Sequence, residues 1–266
     1  MTENNSNPIE TSDKMMMPLP LSEEDIQEYD DYMTVEKNSD VIRRLCPQAN
    51  IVPNVKDVQI PIVPGITLYS YLRLFNAFSC VPKIDIYINN KKVASALEYK
   101  SFTEYYKIFP GYYRIQIFAA GETQKPLLVT CTHLIGYLIY TAAITGIETK
   151  AFLELLNDRI FTIPDEKAAL RLVQLSPNAP VMDAFFDDFL ALTEVDFREI
   201  SRYLLTPSKK AKLTLKDYVK KSVLLEQGAV PLESLYVYTA YVIGNMNVED
   251  GLELLVKEEG MAFLSF

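Results

Sequence analysis

The sequence predicts an all-β protein: two tandem antiparallel β-sandwich domains of immunoglobulin-like type, behind an N-terminal leader that is extended except for one short helix. The chain repeats itself at a fixed shift of 98 residues, Leu72-Arg73-Leu74, Pro82 and Asp85 returning as Leu170-Arg171-Leu172, Pro180 and Asp183. The same shift carries Tyr140-Thr141-Ala142 onto Tyr238-Thr239-Ala240 and Gly146 onto Gly244. Short strand signals separated by turns recur through both copies, the pattern of a sandwich. Parallel strands need long crossovers, usually helices, and no periodic stretch long enough for them is present. A chain of 266 residues is long enough for two cores. The expected partition is a leader over 1–40, a Pro-containing extended linker over 41–66, and sandwiches over 67–160 and 161–266.

The leader carries the charge. Residues 1–40 hold 11 acidic groups against 2 lysines, which accounts for the whole net charge of -9 and leaves 24 of each sign in the rest. That balance excludes a general attraction of the body to nucleic acid or anionic membrane. The first residues are polar and without periodicity, the composition of a disordered tail. Met15, Met16, Met17, Leu19 and Leu21 then form a Met-Pro-Leu segment suited to irregular apolar grooves, with Pro18 and Pro20 reducing the entropy of ordering. Ser22 caps a short amphipathic helix over 23–33 whose apolar stripe is Ile26, Tyr29 and Met33 and whose first turn is acidic. These eight apolar residues are the candidate docking set for a protein partner or another copy of the chain. Pro47, Pro53, Pro61 and Pro64 prevent a long helix in the linker, and Val58 to Val63 should run extended along a sheet edge.

In the first repeat, strands are expected at Leu68–Phe75, Ile84–Ile88, Lys91–Ser95, Tyr113–Phe118, Leu127–Thr132 and Tyr137–Ile144. Tyr113 to Ile117 alternates apolar with polar, the two-residue period of a sheet with one face in a core. Asn89-Asn90 is the turn of a two-residue hairpin, since Asn tolerates the positive φ such turns require. Pro110-Gly111 and Ala120-Gly121 are further turns. The second repeat follows the same scheme, with the turn at Asp187-Asp188, alternation over Lys212 to Lys216, and an aromatic and β-branched strand over Tyr236 to Val242.

The run Leu-Arg-Leu followed by Ser176-Pro177-Asn178-Ala179-Pro180-Val181-Met182-Asp183, a strand and a hairpin resembles a bacterial family known as domain of unknown function 4397. The second repeat carries the family's opening best; the first carries the later part through Phe102, Tyr105, Pro110, Gly111, Tyr113, Arg114 and Gly121. The likeness extends over about two family units, residues 68 to 256. It implies tandem sandwich modules, often on cell surfaces, and supplies no catalytic residues. The first repeat departs from the motif with Phe78-Ser79-Cys80-Val81, and the second replaces the Pro-Gly turn by Pro207-Ser208-Lys209.

The chemistry-bearing residues are few. Arg73 with Asp85, and Arg171 with Asp183, read as repeated structural pairs, because a repeat shares the requirements of a fold more readily than those of an active site. Asp183, Asp187 and Asp188 lack the Gly-containing loop of a dedicated calcium site. The sole histidine, His133, stands two residues from Cys131 without a third group to orient a nucleophile. No nucleophile elbow, phosphate loop or zinc motif is present. Cys46, Cys80 and Cys131 are an odd, sparse set that reads as reduced thiols of a protein made in the cytoplasm, with a Cys80–Cys131 pairing left open. Lys209, Lys210, Lys212, Lys216, Lys220 and Lys221 form a basic patch that could receive the acidic leader.

These features point to a non-enzymatic structural or interaction protein, without cofactor and without membrane insertion. It would bind partner proteins or self-assemble into a bacterial coat or surface layer, such as a spore layer built from the cytoplasmic side. The alternative is a carbohydrate- or ligand-binding module that uses some of the 17 tyrosines.

Overall fold

The computed structural model describes residues 69–158, 163–246, 251–260 and 264. The leader helix, the docking residues Met15 to Met33 and the linker lie outside the described residues. Sixteen strands are described. The first sandwich is built from β1 (Ser70–Asn76), β2 (Lys83–Ile88), β3 (Lys91–Glu98), β4 (Tyr106–Ile108), β5 (Gly111–Ala119), β6 (Leu128–Leu134), β7 (Ile139–Ile147) and β8 (Lys150–Asn157). The second follows with β9 (Lys167–Gln174), β10 (Met182–Phe186), β11 (Phe189–Val195), β12 (Leu204–Pro207), β13 (Lys209–Asp217), β14 (Val223–Leu232), β15 (Val237–Gly244) and β16 (Leu252–Glu258).

Each unit stacks two four-stranded sheets. In the first the orders are β4-β1-β7-β8 and β3-β2-β5-β6; in the second they are β12-β9-β15-β16 and β11-β10-β13-β14, the same topology eight strands later. The all-β tandem sandwich stands. Within it, β1 pairs with β7 and β9 with β15 in parallel, so the sheets are mixed where only antiparallel pairing is expected from the sequence. A parallel pair needs a long crossover, and here five intervening strands, most of them in the opposite sheet, supply it in place of a helix. The strand order also differs from the ABED and CFG sheets of an immunoglobulin domain. Two strands per unit have no counterpart among the expected ones: the three-residue edge strand β4, and β8 together with their repeats.

The hairpin turns behave as their residues dictate. Asn89 and Asn90 have φ of 50° and 62°, and Asp187 and Asp188 have 48° and 68°, the left-handed pairs that a two-residue turn requires. Further along each hairpin the edge strand bulges, with Ala96 at φ 49° and Glu194 at 56°, again 98 residues apart. Gly244 has φ 106°, and a Cβ there would stand 2.3 Å from the carbonyl oxygen of Gly251, which explains why this repeated position is glycine.

Each sandwich has its own core. Leu72, Leu74, Ile84, Ile86, Tyr113, Ile115 and Ile117 are among those that fill the first, and Leu170, Leu172, Met182, Leu213, Leu215 and Val242 among those of the second. A third apolar cluster joins Phe75, Ala77, Ala143 and Leu156 of the first unit to Val173, Leu175, Tyr241 and Ile243 of the second. These residues alternate with core residues on the same strands, so the inner sheets, those containing β1 and β9, face each other. The result is four sheets in layers. It explains why almost every residue of β7 and β15 is buried: both faces of each strand are covered.

Candidate functional site

The most concentrated chemistry in the molecule lies between the two inner sheets. Arg73 on β1 points away from its own core. Its Nε donates to Thr141 Oγ1 at 2.8 Å and its Nη1 to the Glu258 carbonyl at 3.3 Å, while Nη2 is ion-paired with Glu259. Arg171 on β9 repeats the arrangement. Its Nε donates to Thr239 Oγ1 at 2.9 Å, its Nη1 to the Asn157 carbonyl at 2.7 Å, and its Nη2 pairs with Asp158. Each arginine therefore binds the carboxylate that ends the other unit. The exchange is reciprocal, as in a two-fold dimer whose halves were joined in one chain. Lys100 with Glu253 and Arg198 with Glu154 add a second pair of crossings nearer the rim.

Aromatic rings close the cluster. The Arg73 guanidinium lies 4.7 Å from the Phe102 ring centre and 4.9 Å from that of Tyr105, and Arg171 lies 4.7 Å from that of Tyr203. Tyr241 donates to Glu259 Oε1 at 3.1 Å. Burial opposes the charge on Arg73 and Arg171, but Glu259 and Asp158 respectively, acting together with the neighbouring tyrosines and the other carboxylate, raise both pKa values. Asp158 is pushed up to about 7, first by burial and then by Glu259, against the pull of Arg171 and Arg73. Burial drives the Tyr241 hydroxyl well above its ordinary range. Two guanidinium and two carboxyl groups, all but closed to solvent, form one set whose members each need the others.

The expected pairs Arg73–Asp85 and Arg171–Asp183 are not formed. The arginines sit on the inner sheets and the aspartates on the outer ones, so the two ends of each motif serve different layers. Asp85 accepts from the Ala96 amide at 2.7 Å, the Gly121 amide at 3.1 Å and Lys92 Nζ at 2.8 Å. Asp183 accepts from Thr193 Oγ1 at 2.7 Å, the Glu194 amide at 3.3 Å and Lys221 Nζ at 2.9 Å. Each aspartate thus pins the bulge of its own hairpin. Burial works against both charges, and these donors overcome it, holding both carboxyls below their usual pKa. Asp187 and Asp188 pair with Lys209 and Lys212 rather than converging with Asp183. Among the described residues, no group of three or more His, Cys, Asp and Glu side chains could hold a metal ion.

The six lysines do not make one free cationic surface. Lys209, Lys212, Lys220 and Lys221 are in ion pairs with Asp187, Asp188 and Glu226, Asp217 and Asp183. Lys216 lies 4.4 Å from the Phe185 ring centre. Alternation places Lys210, Lys212 and Lys216 on the outward face of the second unit's outer sheet, because Ala211, Leu213 and Leu215 enter its core. The cysteines also differ from expectation. Cys131 is disulfide-bonded and Cys80 is an exposed free thiol, so the two do not pair and the set is not fully reduced. His133 stacks on Tyr112 with ring centres 4.4 Å apart, and burial lowers its pKa. With the Cys131 sulfur in a disulfide, no Cys-His nucleophile is available there.

A polar cleft of about 350 Å³ opens beside the arginine cluster, lined by Arg73, Lys100, Phe102, Tyr105 and Lys257 among others. The sequence does not disclose it, because its residues come from a strand and a loop of one unit and a strand of the other. Among the described residues, no helix is long and apolar enough to cross a membrane.

No curated protein matches the sequence. Among solved structures, the fimbrial anchor protein Mfa2 from Porphyromonas gingivalis is similar over 72% of this chain and 98% of its own, at 6% identity and a TM-score of 0.20. A likeness at that level carries no argument about role. The model of a domain of unknown function, DUF4397, matches residues 70–185. That span begins with β1, takes in the first sandwich, and ends just beyond the Asp183 that pins the second hairpin. Over residues 70–185 this chain is similar to the DUF4397 family.

Proposed function

We propose that this is a non-enzymatic structural or interaction protein, in which two family units form one body that carries the acidic leader as a docking arm. One observation carries the reading. The most elaborate polar cluster, Arg73, Arg171, Asp158 and Glu259, is closed to solvent and spent on holding the units together, rather than presented to a ligand. The leader's apolar set, Met15, Met16, Met17, Leu19, Leu21, Ile26, Tyr29 and Met33, is the segment that seats on a partner or on another copy, in a bacterial coat or surface assembly. Since four of the six patch lysines already hold carboxylates, the leader's seat is an apolar groove with a basic rim on the partner. Deleting residues 1–40 should abolish multimers seen by sedimentation and electron microscopy of the purified chain. Unchanged multimers would overturn the leader's role.

A second reading rests on the cleft beside Arg73. Aromatic rings, hydroxyls and cations in one concavity suit a carbohydrate or small anionic ligand. Glycan-array binding that disappears on Tyr105→Ala would favour it.

A further inference from the structure

We propose that the outward face of the first unit's outer sheet is the seat of the chain's own linker, residues 41–66, fastened there by a disulfide between Cys46 and Cys131. This goes beyond the docking role of residues 1–40 and does not depend on it.

Tyr113, Ile115 and Ile117 of β5 enter the core, so Tyr112, Arg114, Gln116 and Phe118 point outward. Across the register, Tyr112 stands opposite His133, Arg114 opposite Cys131 and Gln116 opposite Val129, and on the other side Asp85 stands opposite Phe118. This face carries Phe118, Tyr87, Tyr112, His133, Val129 and Cys131. Phe118 meets Tyr87 edge-on at 5.4 Å. Yet an aromatic ring on the solvent side of a sheet is only 6% exposed, and Cys131 only 8%. The lowered pKa of His133 is a further mark of lost solvent there.

The cysteines name what covers the face. The chain has three, Cys80 is a free thiol and Cys131 is disulfide-bonded, which leaves Cys46 as the partner within the chain. Around it lie Val41, Ile42, Leu45, Ile51 and Val52, apolar side chains suited to an aromatic face. Reach is ample. From Cys46 to Tyr69 the chain runs 23 residues, about 75 Å when extended, whereas packed sheets are about 10 Å apart. Closing the bond oxidises two thiols. Their two protons and two electrons pass by exchange to an incoming disulfide, such as an oxidoreductase or glutathione disulfide, which leaves as two thiols. The linker is therefore locked down only where the surroundings are oxidising.

The test uses the full chain oxidised with glutathione disulfide, alkylated before and after reduction and mapped by mass spectrometry. The expected result is a Cys46–Cys131 linked peptide with Cys80 alone alkylated before reduction. Cys46→Ser should then raise binding of a hydrophobic dye several-fold and shift the His133 titration, followed by NMR, up towards its ordinary value of about 6.5. Phe118→Lys, which imports the side chain found at Lys216, should do the same in the unmutated cysteine background. Three alkylated thiols before reduction, a Cys80–Cys131 link, or a reducible dimer joined through Cys131 would overturn the proposal. So would a Cys46→Ser protein whose dye binding and His133 titration are unchanged.

Discussion

The two outer sheets share one backbone plan and carry opposite surfaces. Where the first unit has Tyr112, Arg114, Gln116 and Phe118 along β5, the second has Lys210, Lys212, Thr214 and Lys216 along β13, residue for residue at the same shift of 98. The hairpin tips differ in the reverse sense. Lys91 and Lys92 open the edge strand of the first unit, whereas Phe189 and Leu190, 79% and 56% exposed, open that of the second. Lysine on an edge discourages a further strand from pairing, and its replacement by Phe and Leu leaves the second edge the more open to association. The inner sheets, by contrast, keep Arg73 and Arg171, Thr141 and Thr239, Tyr105 and Tyr203 in register. The duplicated part is held constant where the units face each other and has diverged where they face outward.

The strongest way to break this comparison is to attack what is held constant. Glu259→Gln should cost about 3–5 kcal/mol in urea unfolding, because it leaves the buried charge of Arg73 without its partner. The paired change Arg73→Met with Glu259→Leu should cost clearly less than the two single changes added together. Next in size is the covered face, where Phe118→Ala should cost about 3 kcal/mol and fall well below that in a Cys46→Ser background. Asp85→Ala should cost about 2 kcal/mol by freeing two backbone amides of the hairpin. Asp183→Ala should cost less, since its carboxylate holds only one backbone amide, and at a longer distance.

The pH profile separates the inner from the outer carboxylates. Asp158 has its folded pKa raised to about 7, so between about pH 4 and pH 7 the folded state keeps a proton that the unfolded state gives up. Its contribution is therefore largest in acid and is lost as the pH rises through 7. Glu154 and Glu258, also raised, act in the same sense. Asp85 and Asp183 are depressed, so their contribution is present above about pH 4 and lost below it. His133, depressed by burial, opposes the Asp158 slope just below about pH 6.5. Unfolding midpoints measured from pH 4 to 8 should fall with rising pH less steeply in Asp158→Asn than in the parent chain. The smallest effect belongs to the open face: Lys216→Ala should change stability by no more than about 0.5 kcal/mol.

Much of the architecture was legible because it is local. Asn89-Asn90 and Asp187-Asp188 announce their hairpins through the positive φ they tolerate, and the repeat announces the duplicated sandwich. The strand from Ile139 to Ile147 could have disclosed the facing inner sheets, since its apolar residues run on where a half-buried strand would alternate. The partners of the arginines were not legible. Gly146 pairs with Ala151 and its repeat Gly244 with Leu252, so the second hairpin is three residues longer; this puts Glu259 at a shift of 101 from Asp158, and each carboxylate serves the arginine of the other unit. Nothing in the spacing of either motif signals a contact made by exchange. The Cys131 disulfide was equally hidden, because cysteine count alone does not choose among three thiols.

The exchange of carboxylates also sets a clock on the ribosome. Glu259 is added 101 residues after Asp158, roughly 5–20 s later at ordinary rates of synthesis. For that interval the first unit is complete in sequence, yet Arg73 lacks its counter-charge and the apolar side of β1 and β7 lacks its cover. During every round of translation a nascent chain holds out half of an interface whose matching half has still to be made.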